Sequence, residues 1–202
     1  MPIDFEYLSS VMASVARDIS ADQIILEGLL SETTSQQKLS RIILRNKINI
    51  DVLSQITYIA QNMSASQIQP VSLIKAIEKS TDSFDKKNLS FKLERDRPLL
   101  DVLADKDILV AVLRVIFCLV KLESPKNKVI AIGLRRRGNY VSMRISGGAI
   151  EFGTSYLDDV SGLMNSILAI YGAKSEWRMQ SQKRVVFLRL YLAKQITLGY
   201  NN

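Results

Sequence analysis

The 202-residue sequence contains no histidine. Imidazole is the side chain whose ordinary pKa lies near neutrality, and it is the usual base for serine and cysteine nucleophiles. Without it the chain holds no Ser-His or Cys-His pair and cannot carry phosphate on an imidazole. Cys118 is the one cysteine, which excludes an internal disulfide and suits a reducing compartment. A zinc or transition-metal site would rest on carboxylates alone, so no metal and no cofactor is expected. Long apolar runs are also missing. Ile108 to Val120 is broken by Arg114 and falls short of the roughly 20 residues a membrane helix needs. The opening Met-Pro-Ile-Asp-Phe-Glu lacks the basic-then-apolar order of a secretory signal. The expectation is a cytoplasmic protein without membrane contact.

What is present is ordinary for a globular protein, with 47% apolar and 23% charged residues. Lys and Arg number 27 against 20 Asp and Glu, a formal net charge of +7. That balance permits nucleic-acid or acidic-protein partners without selecting one.

Apolar residues recur at helical spacing from Phe5 to about Leu30, at Leu8, Met12, Val15, Ile19, Leu26 and Leu30. A polar break at Ser31 to Ser35 precedes a second periodic segment, about Gln36 to Met63, free of Pro and Gly. Two long helices joined by a short loop make an antiparallel hairpin. Further apolar residues fall beside the stripes, such as Val11, Ile24 and Ile25, or Ile42, Ile48 and Val52. One hairpin alone cannot bury them all. Pairing two hairpins as a four-helix bundle gives a homodimer; packing on the rest of its own chain is the alternative.

Past a linker ending at Pro70, Val71 to about Phe84 starts a third helix. Leu89 to Leu93 alternates as a half-buried strand does, a loop surrounds Pro98, and Asp105 to Leu122 is an apolar helix. Strands at Lys128–Leu134 and Tyr140–Ser146 flank Arg135-Arg136-Arg137-Gly138-Asn139, which reads as a hairpin tip. Gly162 to Tyr171 is a helix ending at the C-cap glycine Gly172. A last hairpin pairs Lys174–Met179 with Val185–Leu192. The fold class is α+β, with a helical hairpin at residues 1–66 and an α/β sandwich at 67–202.

This order resembles the catalytic core of sensor histidine kinases over Phe5 to Lys194. Three local matches carry the resemblance. Gln69-Pro70-Val71-Ser72-Leu73 stands where the family enters its ATPase-like domain. Asp105 with Leu109, Val112 and Leu113 looks like the family's Asp-x-x-x-Leu-x-x-Val-Leu helix. Ile170-Tyr171-Gly172-Ala173 precedes a strand where the family shows His-Gly-Gly.

The resemblance also assigns functional positions, and here the residues depart from the family. Its phosphoacceptor motif falls on Arg17-Asp18-Ile19-Ser20-Ala21-Asp22-Gln23, with Arg17 in place of the histidine. A guanidinium stays protonated and is no nucleophile. The metal-binding asparagines fall on Val115 and Leu119, which offer magnesium no oxygen. The adenine-reading Asp-x-Gly-x-Gly falls on Gly147, Ala149 and Glu151, and no glycine-rich lid fits between Phe152 and Ser161.

Outside that frame, Arg135, Arg136 and Arg137 form a candidate basic patch, set against the plainer account of a solvated tip. Arg144, Arg178, Lys183, Arg184 and Arg189 add charge nearby, with no aromatic residue interleaved as a base-stacking platform requires. Cys118 and Trp177 read as core residues. Asp105 and Asp107 stand at a helix start, where acids are favoured anyway. Gly147-Gly148 is a weak phosphate-loop signal and reads as a strand end. The resulting expectation is a non-catalytic relative of histidine kinases and phosphotransferases. It dimerises through the hairpin and docks a response-regulator receiver domain on Arg17, Asp18, Ser20, Asp22 and Gln23. The alternative is a basic nucleic-acid-associated regulator.

Overall fold

A computed structural model describes residues 5–30, 36–82, 84, 90–95, 101–123, 128–149 and 156–193. The polar break at 31–35, the loop around Pro98 and residues 150–155, Glu151 included, lie outside them. The helical hairpin is α1 (Phe5–Leu30) and α2 (Gln36–Asn62). It is followed by β1 (Gln69–Val71), α3 (Leu73–Thr81), β2 (Ser90–Arg95), β3 (Val102–Ala104) and α4 (Lys106–Glu123). Then come β4 (Val129–Arg137), β5 (Tyr140–Ser146), α5 (Leu157–Ile170), β6 (Lys174–Gln180) and β7 (Lys183–Tyr191). The architecture is α+β. The main sheet has five strands in the order β2-β4-β5-β7-β6, with β2 parallel to β4 and the other neighbours antiparallel.

Local chemistry sets the element ends. Asp105 caps α4: its Oδ1 accepts from the amides of Asp107 and Ile108, both at 3.0 Å. Its other oxygen accepts from the Gln67 amide at 2.9 Å, tying the linker to the helix start. Asp107 pairs with Lys79 of α3. Both acids are therefore accounted for by capping and pairing. Helix α5 ends in a Schellman motif, with the Ala173 amide on the Leu168 carbonyl and the Gly172 amide on that of Ala169. Gly172 takes φ +69°, a left-handed position that a side chain resists.

Several segments differ from the sequence reading: Val71 lies in β1, paired with the unexpected β3, and α3 starts only at Leu73 and ends at Thr81. Strand β4 runs on to Arg137, and Arg135, Arg136 and Arg137 pair with Ser142, Val141 and Tyr140. The hairpin tip shrinks to Gly138-Asn139, with Gly138 at φ +58°. Helix α5 starts at Leu157, a turn and more before Gly162.

One face of the sheet is covered. Ile130, Ile132, Leu134, Val141, Met143 and Ile145 alternate inward and are at most 1% exposed. Helix α4 packs between this layer, α3 and α2, and nearly all of it is buried. The hairpin forms the next layer outward, with α2 on α4 and α1 on α5. Val11 and Val15 of α1 and Val52, Ile56 and Ile59 of α2 join one continuous apolar core with the sheet module. The hairpin thus buries one apolar face in its own chain. Met12, Ile43 and Ile50, which lie on the stripe of apolar periodicity, point outward at 41%, 55% and 56% exposure. No helix among the described residues is long and apolar enough to cross a membrane.

Candidate functional site

Helix α1 carries the first candidate site, and its 3.6-residue period splits it in two. Asp18 and Asp22, four residues apart, face α2. Arg45 reaches both, with Nη2 at 3.1 Å from Asp18 Oδ2 and Nε at 3.4 Å from Asp22 Oδ2. Asp22 is 3% exposed, so it belongs to the hairpin interior and not to the docking surface expected from sequence. Burial raises its carboxyl above the usual range, Arg45 opposes that, and the neighbouring Asp18 adds to it. Arg17, Ser20 and Gln23 lie on the exposed side, beside the exposed Ile24 and Ile25. Arg17 donates to Ser14 Oγ at 2.9 Å, and that hydroxyl donates to Asp159 of α5 at 3.1 Å. The guanidinium is therefore anchored through a side-chain relay to the sheet module.

The second set lies on α4. Val115 and Leu119 are fully buried in a helix packed against α2. Neither carries an oxygen, so the pair does not fit magnesium. Cys118 sits between them, 4% exposed, and burial pushes its thiol up to about 12. It is a core residue. Beside this helix the Tyr156 hydroxyl donates to Asn49 Oδ1 of α2 at 2.6 Å, with both side chains fully buried. Desolvation pushes the Tyr156 phenol well above its ordinary value. Sequence alone does not mark this pair, because its members are 107 positions apart. Gly147 and Ala149 follow β5 directly, half-buried and exposed respectively.

The third set is the sheet face that no described helix covers. Arg135 and Arg137 alternate onto it from β4, Arg144 from β5, Arg189 from β7, and Lys174 and Arg178 from β6. Arg184 does not join them. It turns inward and forks onto Glu123, itself 1% exposed, at 3.0 Å. Aromatic residues do interleave here, contrary to the sequence reading. The Arg189 guanidinium lies 4.7 Å from the Tyr140 ring centre and that of Arg178 lies 5.6 Å from Phe187. Tyr191 packs edge-on to Tyr140. Phe187, Arg189 and Tyr191 alternate along β7 itself, whereas Tyr140 of β5 is brought among the arginines only by the register.

No family model and no curated protein matches the sequence. Solved structures match the fold. Histidine kinase AdeS of Acinetobacter baumannii superposes with a TM-score of 0.55 at 13% identity, over 88% of this chain and 96% of that one. Histidine kinase ThkA, solved in complex with response regulator protein TrrA, gives 0.59 at 15% identity. That match covers 94% of this chain and 63% of the ThkA chain. The ATP-binding domain of PrrB from Mycobacterium tuberculosis gives 0.51 at 10% identity over 63% of this chain. The chain thus has the fold of a histidine kinase catalytic core, hairpin included.

Proposed function

We propose that this chain uses a histidine-kinase fold to bind a signalling partner and performs no phosphoryl transfer. The observation that carries the reading is a kinase-shaped chain without any histidine, whose exposed α1 position in the phosphoacceptor register is Arg17. Val115 and Leu119 support it, since the two positions assigned to metal ligands are spent on packing. The partner is a response-regulator receiver domain. ThkA is seen with such a regulator, and the fold likeness spans the hairpin as well as the sheet module.

Receiver domains present an acidic phosphorylation pocket, and a fixed positive charge suits it without a covalent step. Arg17 supplies the charge, with Ser20, Gln23, Ile24 and Ile25 as the surrounding contact surface. Asp18 and Asp22 act behind it, holding α1 to α2 through Arg45. The protein is then an adaptor, or a competitor that sequesters the receiver from a working kinase. The exposed Met12, Ile43 and Ile50 support a homodimer formed through the hairpins. A buried, unpaired thiol fits a cytoplasmic setting.

The test is calorimetric titration of the purified chain with each receiver domain encoded in its genome. At least one receiver is expected to bind with micromolar affinity, and Arg17→Glu should weaken it at least tenfold. No heat with any receiver, or binding that Arg17→Glu leaves intact, would overturn the reading.

A further inference from the structure

The open face of the five-stranded sheet carries a separate binding surface. Its positive charges far outnumber its negative ones. Lys92 pairs with Glu94 and Arg178 pairs with Glu176, so two cations are matched by the face's own acids. Arg135, Arg137, Arg144, Lys174 and Arg189 have no acid within ion-pair distance among the described residues. Much of the chain's net charge of +7 thus stands on one face. A concentration of this kind attracts polyanions and makes their binding depend on salt.

The face is also shaped and surfaced. Two open depressions, of about 520 and 560 Å³, share Arg137, Ser142 and Phe187. Arg189 and Tyr140 lie in the first and Arg144 in the second, so cation and ring alternate across the strands. Guanidinium planes held over Tyr140 and Phe187 offer stacking surfaces for planar bases as well as charge. A folded acidic protein needs the charge and not the rings. A lipid headgroup layer favours apolar side chains at its rim, whereas Tyr140, Phe187 and Tyr191 are only half-exposed within the face.

We infer that this face binds single-stranded nucleic acid, with the unpaired arginines on phosphates and the Arg189–Tyr140 and Arg178–Phe187 stacks receiving bases. Single strands are favoured over duplex because bases must be splayed to reach the stacks. The face is distinct from the α1 surface proposed for receiver docking, so either proposal can fail alone.

Fluorescence anisotropy of the whole chain with fluorescein-labelled 12-nucleotide oligothymidylate and oligouridylate tests this, in arms that separate DNA from RNA. Saturable binding to at least one strand is expected, weakening with salt at a log–log slope of about −2 to −3 for three or four phosphate contacts. Arg144→Glu with Arg189→Glu should weaken it more than tenfold and flatten the slope. Phe187→Leu, which keeps an apolar side chain but removes the ring, should cost about tenfold with the slope unchanged. Glu94→Gln should tighten binding, a gain that misfolding cannot produce. Lys75→Glu, the charge change of either single substitution placed on α3, should leave it unaltered. The inference is overturned if neither oligonucleotide binds at 50 mM salt, or if Lys75→Glu weakens binding as much as the Arg144 and Arg189 changes. Tighter binding to a 12-base-pair duplex, or to phosphatidylserine vesicles, overturns it equally.

Discussion

Ile130, Ile132 and Leu134 point from β4 into the helical layer, whereas Arg135 and Arg137 of the same strand stand on the open face. The covered side is apolar apart from a few buried polar groups. Glu123 is gripped by Arg184 and Asn49 accepts from Tyr156. The open side is polar, cationic and only partly self-neutralised. This contrast locates the chemistry. Val115 and Leu119, where the resemblance places metal ligands, are committed to packing, and exposed charge lies on the opposite face and on α1.

That contrast makes graded predictions. The largest effect is expected where a kinase-like residue is put back into the packed side. Leu119→Asn should lower the unfolding free energy by roughly 3–5 kcal/mol in urea titrations, because it removes apolar contacts and buries an unpaired amide. It should gain no nucleotide affinity, and an ATP-binding Leu119→Asn variant would show that the covered side is a latent site.

Tyr156→Phe comes next. It strands the buried Asn49 carbonyl oxygen, and a loss of about 1–2 kcal/mol is expected from the same titration.

Asp22→Asn should be smaller and pH-dependent. The folded carboxyl titrates above its unfolded value of about 3.8, so its favourable contribution is complete below that pH and fades as pH rises through the raised pKa. Wild type and variant should therefore be nearly equal near pH 3.5. The variant should be the more stable at pH 7, and the opposite order would mean that the Arg45 contact outweighs burial.

Least affected is the open face. Arg144→Glu should shift stability by no more than about 0.5 kcal/mol, since Arg144 stands exposed on the open face. A large loss there would break the contrast between the faces.

Much of the fold is legible in the sequence for identifiable reasons. The helical hairpin follows from long Pro- and Gly-free periodicity, and Gly172 ends α5 as a glycine at that position should. The rotational setting of the hairpin helices is not legible. Val11 and Met12, or Val52 and Ile50, are all apolar, and periodicity cannot say which faces its own chain. Three consecutive arginines hide strand alternation, so the extension of β4 to Arg137 emerges only from pairing with Tyr140–Ser142. The β1–β3 ladder joins two three-residue strands some thirty positions apart, too short for a pattern to show. At the candidate sites, Arg17 and the apolar Val115 and Leu119 can be assigned from resemblance and side-chain chemistry. The inward turn of Asp22 cannot, since it depends on where Arg45 of the facing helix lies.

The most direct measurement incubates the chain with a receiver domain it binds, magnesium and γ-labelled ATP, and follows the label on both proteins. A complex that persists on gel filtration with no label on either protein is the predicted result. Label on either protein above that of the receiver alone would contradict a kinase fold used for binding without phosphoryl transfer.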